Sequence, residues 1–277
     1  MSLPGPAEWP AGRRLPSAAL PVAGTIPTTF LLTFLLTFLA GCGAAPIESV
    51  SIAGRSLARG LVAHWPFDEQ SGTTVVDKSG NGHDGQLTGG TWVASARFAG
   101  GLRLQPGDSV TISAFPQATP DWTVSVWIKL SSADIEAFTA ERAVLLTAER
   151  SGMGGWEVEF DPRPGFDWLE ASYYVGAPTN DYVVLDCKCI EVDRWLQWTV
   201  VFDSTNHRFS LYHDGLLTDA SSLPAPILPG EPNLYIGRWN SGARSLSGVI
   251  DDFAIWSRAL DLDEIATLTK RAVPDAL

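Results

Sequence analysis

The stretch WTVSVWIKL, residues 122–130, narrows what this chain can become more than any other. Trp122, Val124, Val126, Ile128 and Leu130 fall on one side of an extended backbone, and Thr123, Ser125, Trp127 and Lys129 on the other. Side chains alternate across a strand with period two, so the run predicts a strand with one face in a core. Similar runs follow in LVAHWPF (61–67), WLQWTVVFD (195–203), HRFSLYHDG (207–215), LYIG (234–237) and SGVIDDFAIW (247–256). Asp203-Ser204-Thr205-Asn206 predicts a hairpin between two of these runs, and HDG (213–215) marks another turn. Helical character appears only in DLDEIATLTK (261–270), where Asp261 as N-cap and Glu264 three residues on make a capping-box pattern. The expectation is an all-β chain: one two-sheet antiparallel β-sandwich with a short C-terminal helix.

Composition agrees with a folded binder. Of the 277 residues, 45% are hydrophobic and 18% charged, enough for a real core and too little charge for long disorder. The net charge of −12 argues against nucleic acid, because a phosphate backbone needs a basic face. An acidic surface suits divalent cations, uncharged glycans or basic partners. Eleven tryptophans are a heavy load; most are expected in the core, and all-β carbohydrate binders also use Trp as a stacking platform.

The N-terminus reads as an address. Phe30 to Ala40 is an unbroken apolar and threonine run, behind Arg13 and Arg14, and is short of the ~20 residues a spanning helix needs. It closes on Leu39-Ala40-Gly41-Cys42, which resembles a bacterial lipobox. The resemblance implies a signal peptide over 1–41 and lipid on Cys42, whose several acyl chains together make a stable membrane anchor. A buried N-terminal helix or an ordinary secretory signal is the competing reading. Gly43 after the cysteine implies, by the same resemblance, the outer membrane or cell surface of a bacterial envelope. Residues 42–60 read as a tether, 61–270 as the sandwich and 271–277 as a tail. Cys187 and Cys189 stand two apart, which in a straight strand is ~6.8 Å, so a disulfide needs a bend there. Two packed thiols are the plainer alternative.

The order HWPFDEQSGTTVVDKSGNGHDGQL, WTVSVWIKL, WTVVFD…FSLYHDG and LYIGRWN…SGVIDDFAIWSRALDLDEI resembles the laminin-G-like domains of the concanavalin A-like lectin/glucanase superfamily. The resemblance runs from about Leu61 to Leu268 and is weakest over 131–195. It implies a jelly roll of two curved antiparallel sheets with the first and last strands paired. His64-Trp65-Pro66-Phe67 would then lie beside Asp251–Trp256.

DKSGNGHDG (77–85) interleaves Asp77, Ser79, Asn81 and Asp84 with three glycines, which permit left-handed backbone and let a loop aim several oxygens at one point. Such a set suits Ca²⁺. By the family resemblance a structural calcium would use Asp77, Asn81, backbone oxygens near Gly82 or His83, and Asp251, with Asp252 as its competitor. The alternative is that Asp77 and Asn81 only hydrogen-bond their own turn.

GWEVEFDPR (155–163) places Glu157, Glu159 and Asp161 at alternate positions. Family 16 glycoside hydrolases of this superfamily carry a comparable carboxylate row, with Glu at the outer positions and Asp in the middle. Two of the three positions here depart from that order. Trp156, Val158 and Phe160 make the other face apolar, so the expectation is that the carboxylates form the solvent side of a strand. The chain has no Gly-x-Ser-x-Gly, His-Glu-x-x-His or phosphate-binding glycine loop.

Candidate ligand contacts are aromatics beside amides and carboxylates: Trp168 and Tyr173 (with Tyr174) near Asp167, Glu170 and Asn180, and Arg238, Trp239 and Asn240 in GRWNSGAR. In a regular strand one of Tyr173 and Tyr174 must face the core. Two functions follow: a non-catalytic surface domain binding a glycan, or a module that adheres to a cell-surface protein. Hydrolysis by Glu157, Glu159 and Asp161 is a minor third.

Overall fold

The computed structural model describes residues 57–274 apart from 117, 119, 138–141, 149–153, 162–167, 175–181 and 224–226; for Trp168, Tyr174 and Tyr182 it describes backbone only. The expected two-sheet antiparallel sandwich is what forms. In chain order the elements are β1 (Leu61–Trp65), β2 (Thr74–Val75), β3 (Gly85–Thr88), β4 (Thr91–Val93), β5 (Gly101–Leu104), β6 (Ser109–Ile112) and β7 (Trp122–Lys129). Helix α1 (Ser132–Ala137) precedes β8 (Ala143–Thr147), β9 (Trp156–Asp161), β10 (Trp168–Tyr174) and β11 (Tyr182–Cys187). Then come β12 (Trp195–Asp203), β13 (Arg208–His213), β14 (Leu216–Ser222), β15 (Leu234–Ile236), β16 (Gly248–Trp256) and α2 (Leu262–Leu268). The first sheet has the order β11-β10-β9-β8-β15-β6-β3-β2, and the second β14-β13-β12-β7-β16-β5-β4 with β1 also on β16.

The hairpins form where turn chemistry places them. Asp203 pairs with Arg208, and the Asp203 carboxylate accepts from the amide and side chain of Asn206 to close the loop. Between β13 and β14, Asp214 (φ 48°) and Gly215 (φ 78°) both hold left-handed backbone, the two-residue turn that matches strand twist.

The first and last strands meet as the family resemblance implies: Leu61 pairs with Trp256, His64 with Ala254 and Trp65 with Phe253. β16 serves two neighbours on that edge, β5 through residues 248–250 and β1 through 253–256. The handover is a bulge between Asp251 and Ala254, with Asp252 at φ 48°. Without the extra residue, alternation would turn Asp252 into the core and Phe253 out of it. With it, Ile250 and Phe253 both face inward.

The core lies between the sheets. Trp65 packs 5.3 Å from Phe253, Phe160 lies 5.1 Å from Trp198, and Phe202 stacks on Phe209 at 4.5 Å. Among the described residues six tryptophans, 65, 122, 127, 156, 198 and 256, are buried. A smaller cluster on the outer side of the second sheet joins Val201, Tyr212 and Trp256 to Leu260, Ile265 and Leu268 of the α2 segment. The capping box forms as read, with Asp261 accepting from the Glu264 amide and Glu264 from the Asp261 amide. Arg258 forks onto the same Glu264 at 2.6 and 2.8 Å.

Helix α1 was not legible from apolar periodicity. Ser131 and Asp134 cap each other across its first turn, and the buried Asp134 also takes Arg103 of β5 and the Ser247 hydroxyl. Cys187 and Cys189 are bonded, with Cα atoms 5.2 Å apart; the chain leaves β11 at Cys187 and bends, so the disulfide reading holds rather than two thiols.

Candidate functional site

The carboxylate row of β9 is not the wet side of a strand. Trp156, Val158 and Phe160 do face the core, but Glu157, Glu159 and Asp161 are 1%, 1% and 0% exposed on the opposite face. That face is polar and covered. Arg142, just before β8, pairs with Glu159 and approaches Asp161 at 3.6 Å and Glu170 at 3.5 Å. Arg244, from the loop after β15, approaches Glu159 at 3.7 Å. Strand register supplies the rest: Glu170 of β10 lies opposite Glu159, and Ser172 opposite Glu157.

Among the described residues, two guanidiniums are shared by three carboxyls: Arg142 reaches Glu159, Asp161 and Glu170, and Arg244 reaches Glu159. Burial pushes the Glu159 carboxyl well above the usual carboxylate range, and Glu170 opposite adds to this while Arg142 and Arg244 oppose it. Burial prevails because the positive charge is divided. Arg142, pulled on by Glu159, Glu170 and Asp161, stays protonated.

Arg244 links this network to GRWNSGAR. That loop closes on itself, with the Trp239 amide donating to Ala243 O and the Gly242 amide to Trp239 O, both at 2.9 Å. The Val144 amide donates to Arg244 O at 2.8 Å, tying the loop to β8. The Arg244 guanidinium sits 4.7 Å over the Trp239 ring and Arg238 sits 4.3 Å over Tyr235. Arg238 also donates to the carbonyls of Trp239 and Asn240. Arg238, Trp239 and Asn240 are half-buried and lie together.

Tyr173 is not available to a ligand. It is 0% exposed, its ring edge packs on Phe202 and Phe209, and burial pushes its phenol up. Parity decides this, because Leu169, Ala171 and Tyr173 point into the core together. Trp168 has a place at the start of β10, opposite Asp161, and its side chain lies outside the described residues, as do Asp167, Asn180 and Cys42.

The six residues expected to hold calcium do not fit one cage. Asp77 already accepts from the amides of His64, Ser79 and His83 and from the Ser79 hydroxyl, which fills its four acceptor positions. These bonds hold its carboxyl below the ordinary value in spite of burial. Asn81 turns its amide nitrogen onto the Leu61 and Val62 carbonyls, and the His83 carbonyl takes the Trp65 indole. Gly82, at φ 79°, shapes the turn. Asp251 goes elsewhere, accepting from the amides of Arg97 and Phe98. Asp252 takes the His64 ring and the Val273 amide. Among the described residues no three His, Cys, Asp or Glu side chains are grouped to hold a metal ion.

Burial pushes the Asp251 carboxyl up to about 7, with Asp252 and Asp68 adding to it. Asp68, unread in the sequence, is thus an acidic neighbour of Asp251, and it accepts from the Gly100 amide at 2.6 Å.

A family model of the laminin-G type, described as the concanavalin A-like lectin/glucanases superfamily, matches residues 104–266, more than half of the chain. The chain belongs to this family. Curated protein sequences gave no match. Among solved structures, this laminin-G-type domain is similar to the botulinum neurotoxin serotype D ligand binding domain in complex with N-acetylneuraminic acid: 16% identity, TM-score 0.61, covering 79% of this chain and 52% of that one. It is also similar to the receptor binding domain of the botulinum neurotoxin C/D mosaic serotype, at 16% identity and TM-score 0.59 over 77% of this chain and 51% of that one. The binding domain of Paraclostridial Mosquitocidal Protein 1 gives 18% and 0.60 over 77% and 52%. The chain spans about half the length of these structures, and the likeness is one of fold.

Proposed function

We propose that this chain is a non-catalytic glycan-binding domain whose ligand docks on the β15–β16 loop, at Arg238, Trp239 and Asn240. One observation carries the reading: the loop is braced before any ligand arrives. Two internal backbone bonds close it, Arg244 lies over its tryptophan, and the same Arg244 reaches the buried Glu159. A pre-positioned indole beside an amide and a guanidinium suits a pyranose, which offers a C–H face for stacking and hydroxyls for hydrogen bonds. Bracing lowers the ordering cost of binding. The ligand- and receptor-binding domains that share the fold support a binding role of this kind.

The carboxylate row has a different part in this reading. Hydrolysis with retention asks for two reachable carboxyls about 5–5.5 Å apart. Here Glu159 and Asp161 are under 2% exposed and face Arg142. They fasten Arg142 and Arg244, and through Arg244 the loop. The raised Glu159 carboxyl favours a hydrolase as the second reading, and a protein partner in place of a glycan is the third.

Membrane attachment through lipid on Cys42 belongs to the same proposal, supported by the apolar run ending at Leu39-Ala40-Gly41-Cys42. Asp77 and Asn81 enter it as a hydrogen-bonded staple on β1.

A glycan array probed with the labelled full chain tests the reading. The expected result is retention by a defined class of glycans, reduced at least tenfold by Trp239→Ala. Retention of none, or retention indifferent to that substitution, overturns it. Release of reducing sugar from an array hit would favour the hydrolase.

A further inference from the structure

The outer side of the second sheet carries a concavity that the β15–β16 loop does not touch. A groove of about 610 Å³ lies between β12–β14 and the segment entering α2, residues 259–262. That volume falls within the ~300–1,000 Å³ of small-ligand sites. The strands explain its lining. Val201 lies opposite Ser210, Asp203 opposite Arg208, and Arg208 opposite Ser222, so these side chains share one face. Val201 and Tyr212 give it an apolar floor continuous with the cluster under α2. Leu262, 66% exposed, forms the far lip.

The polar groups of the groove are only partly spent on each other. Nε of Arg208 donates to Ser210 Oγ at 3.0 Å, which fixes the plane of the guanidinium. Among the described residues its two terminal nitrogens take no ion-pair partner. Asp203, directly across the strand pair, gives its carboxylate to Asn206, and Asp261 gives its own to the Glu264 amide. Arg208 thus presents its fork to a groove that Asp203, Asp261, Ser210 and Ser222 also line.

Charge and polarity select the ligand. A polyanion meets Asp203 and Asp261 with a single guanidinium to balance them, and a cation meets an Arg208 guanidinium that no carboxylate among the described residues neutralises. A wholly apolar ligand would bury the guanidinium and hydroxyls unpaired. A sugar hydroxyl both donates and accepts, so it can bond guanidinium, carboxylate and serine in turn while its C–H face lies on an apolar floor. We infer that this groove is a second ligand site, for a short stretch of uncharged saccharide, on the outer face of the second sheet and lined by no residue of the β15–β16 loop.

Calorimetric titration of the full chain tests this, using maltotriose, mannotriose, xylotriose and triacetylchitotriose, with 3′-sialyllactose as the charged comparison. The expected result is binding of at least one neutral trisaccharide that persists in a Trp239→Ala background and is there weakened tenfold or more by Arg208→Ala and by the groove-filling Ser222→Trp. Circular dichroism establishes that each variant is folded, and Arg208→Lys, which keeps charge without the fork, should lose part of the affinity. The inference is overturned if no neutral trisaccharide binds, if 3′-sialyllactose binds in their place, if both groove substitutions are silent, or if Trp239→Ala removes the binding. The last result would assign all binding to the β15–β16 loop.

Discussion

Nε2 of His64 lies 2.8 Å from Oδ1 of Asp252, so a fully buried side chain on the first strand is bonded to the bulge residue of the last. The same carboxylate takes the amide of Val273 beyond α2. One residue therefore joins β1, β16 and the C-terminal segment. Asp252→Ala removes the acceptor from a buried ring and puts a β-carbon without a polar group in a left-handed position. It should lower unfolding stability by about 2–4 kcal/mol in urea titration. Asp252→Asn keeps an acceptor and tolerates the backbone, and should cost less than half as much.

Asp77 predicts a result in which calcium is absent from the explanation. Its four hydrogen bonds fasten the 77–85 turn to β1, so Asp77→Ala should cost about 1–3 kcal/mol. Millimolar CaCl₂ should leave the melting temperature of the native protein where it is. Calcium at ~100 Kd would add about 2.7 kcal/mol, a clear upward shift. That shift would restore the cage.

The raised carboxyl of Asp251 gives a pH dependence with a definite sign. Its ordinary value is 3.8 and burial takes it to about 7, so between these limits the folded state holds a proton that the unfolded chain has lost. Stability from this group therefore falls as pH rises from about 4 to 7. Asp251→Asn, which still accepts from the Arg97 and Phe98 amides, should remove that decline. Melting curves at pH 5 and pH 8 should show a smaller loss in the variant than in the parent.

Arg244 couples the buried network to the proposed binding loop. Arg244→Ala should lower glycan retention at least fivefold, with a fall in melting temperature of a few degrees. It should also speed proteolytic cleavage within 237–245. A fold-only role for Arg244 would lower the melting temperature and leave glycan retention as it was.

Much of the sandwich could be read directly, because alternation and turn residues are local. The 204–207 loop, the Asp214-Gly215 turn and the Asp261–Glu264 cap are settled within a few positions of themselves. Helix α1 had a local signal too, Ser131 three residues before Asp134, masked by the shortness of the helix. The site was harder because alternation gives the side of a strand and not its depth. It separates Glu157, Glu159 and Asp161 from the core, and it says nothing of Arg142 and Arg244 arriving from 17 and 85 positions away from Glu159 along the chain. Parity likewise divides Tyr173 from Tyr174, and it is the buried Leu169 and Ala171 on the side of Tyr173 that say which is inside. The extra residue at Asp252 breaks the alternation itself, so Asp251 and Asp252 could not be assigned to faces by counting.

Amide-resolved NMR of the isotope-labelled protein, titrated with the glycan that the array retains, tests the central claim most directly. Shift changes centred on Arg238, Trp239 and Asn240, extending to Val144 through its bond to Arg244, are the predicted result. Changes elsewhere that leave residues 237–245 unmoved would contradict it.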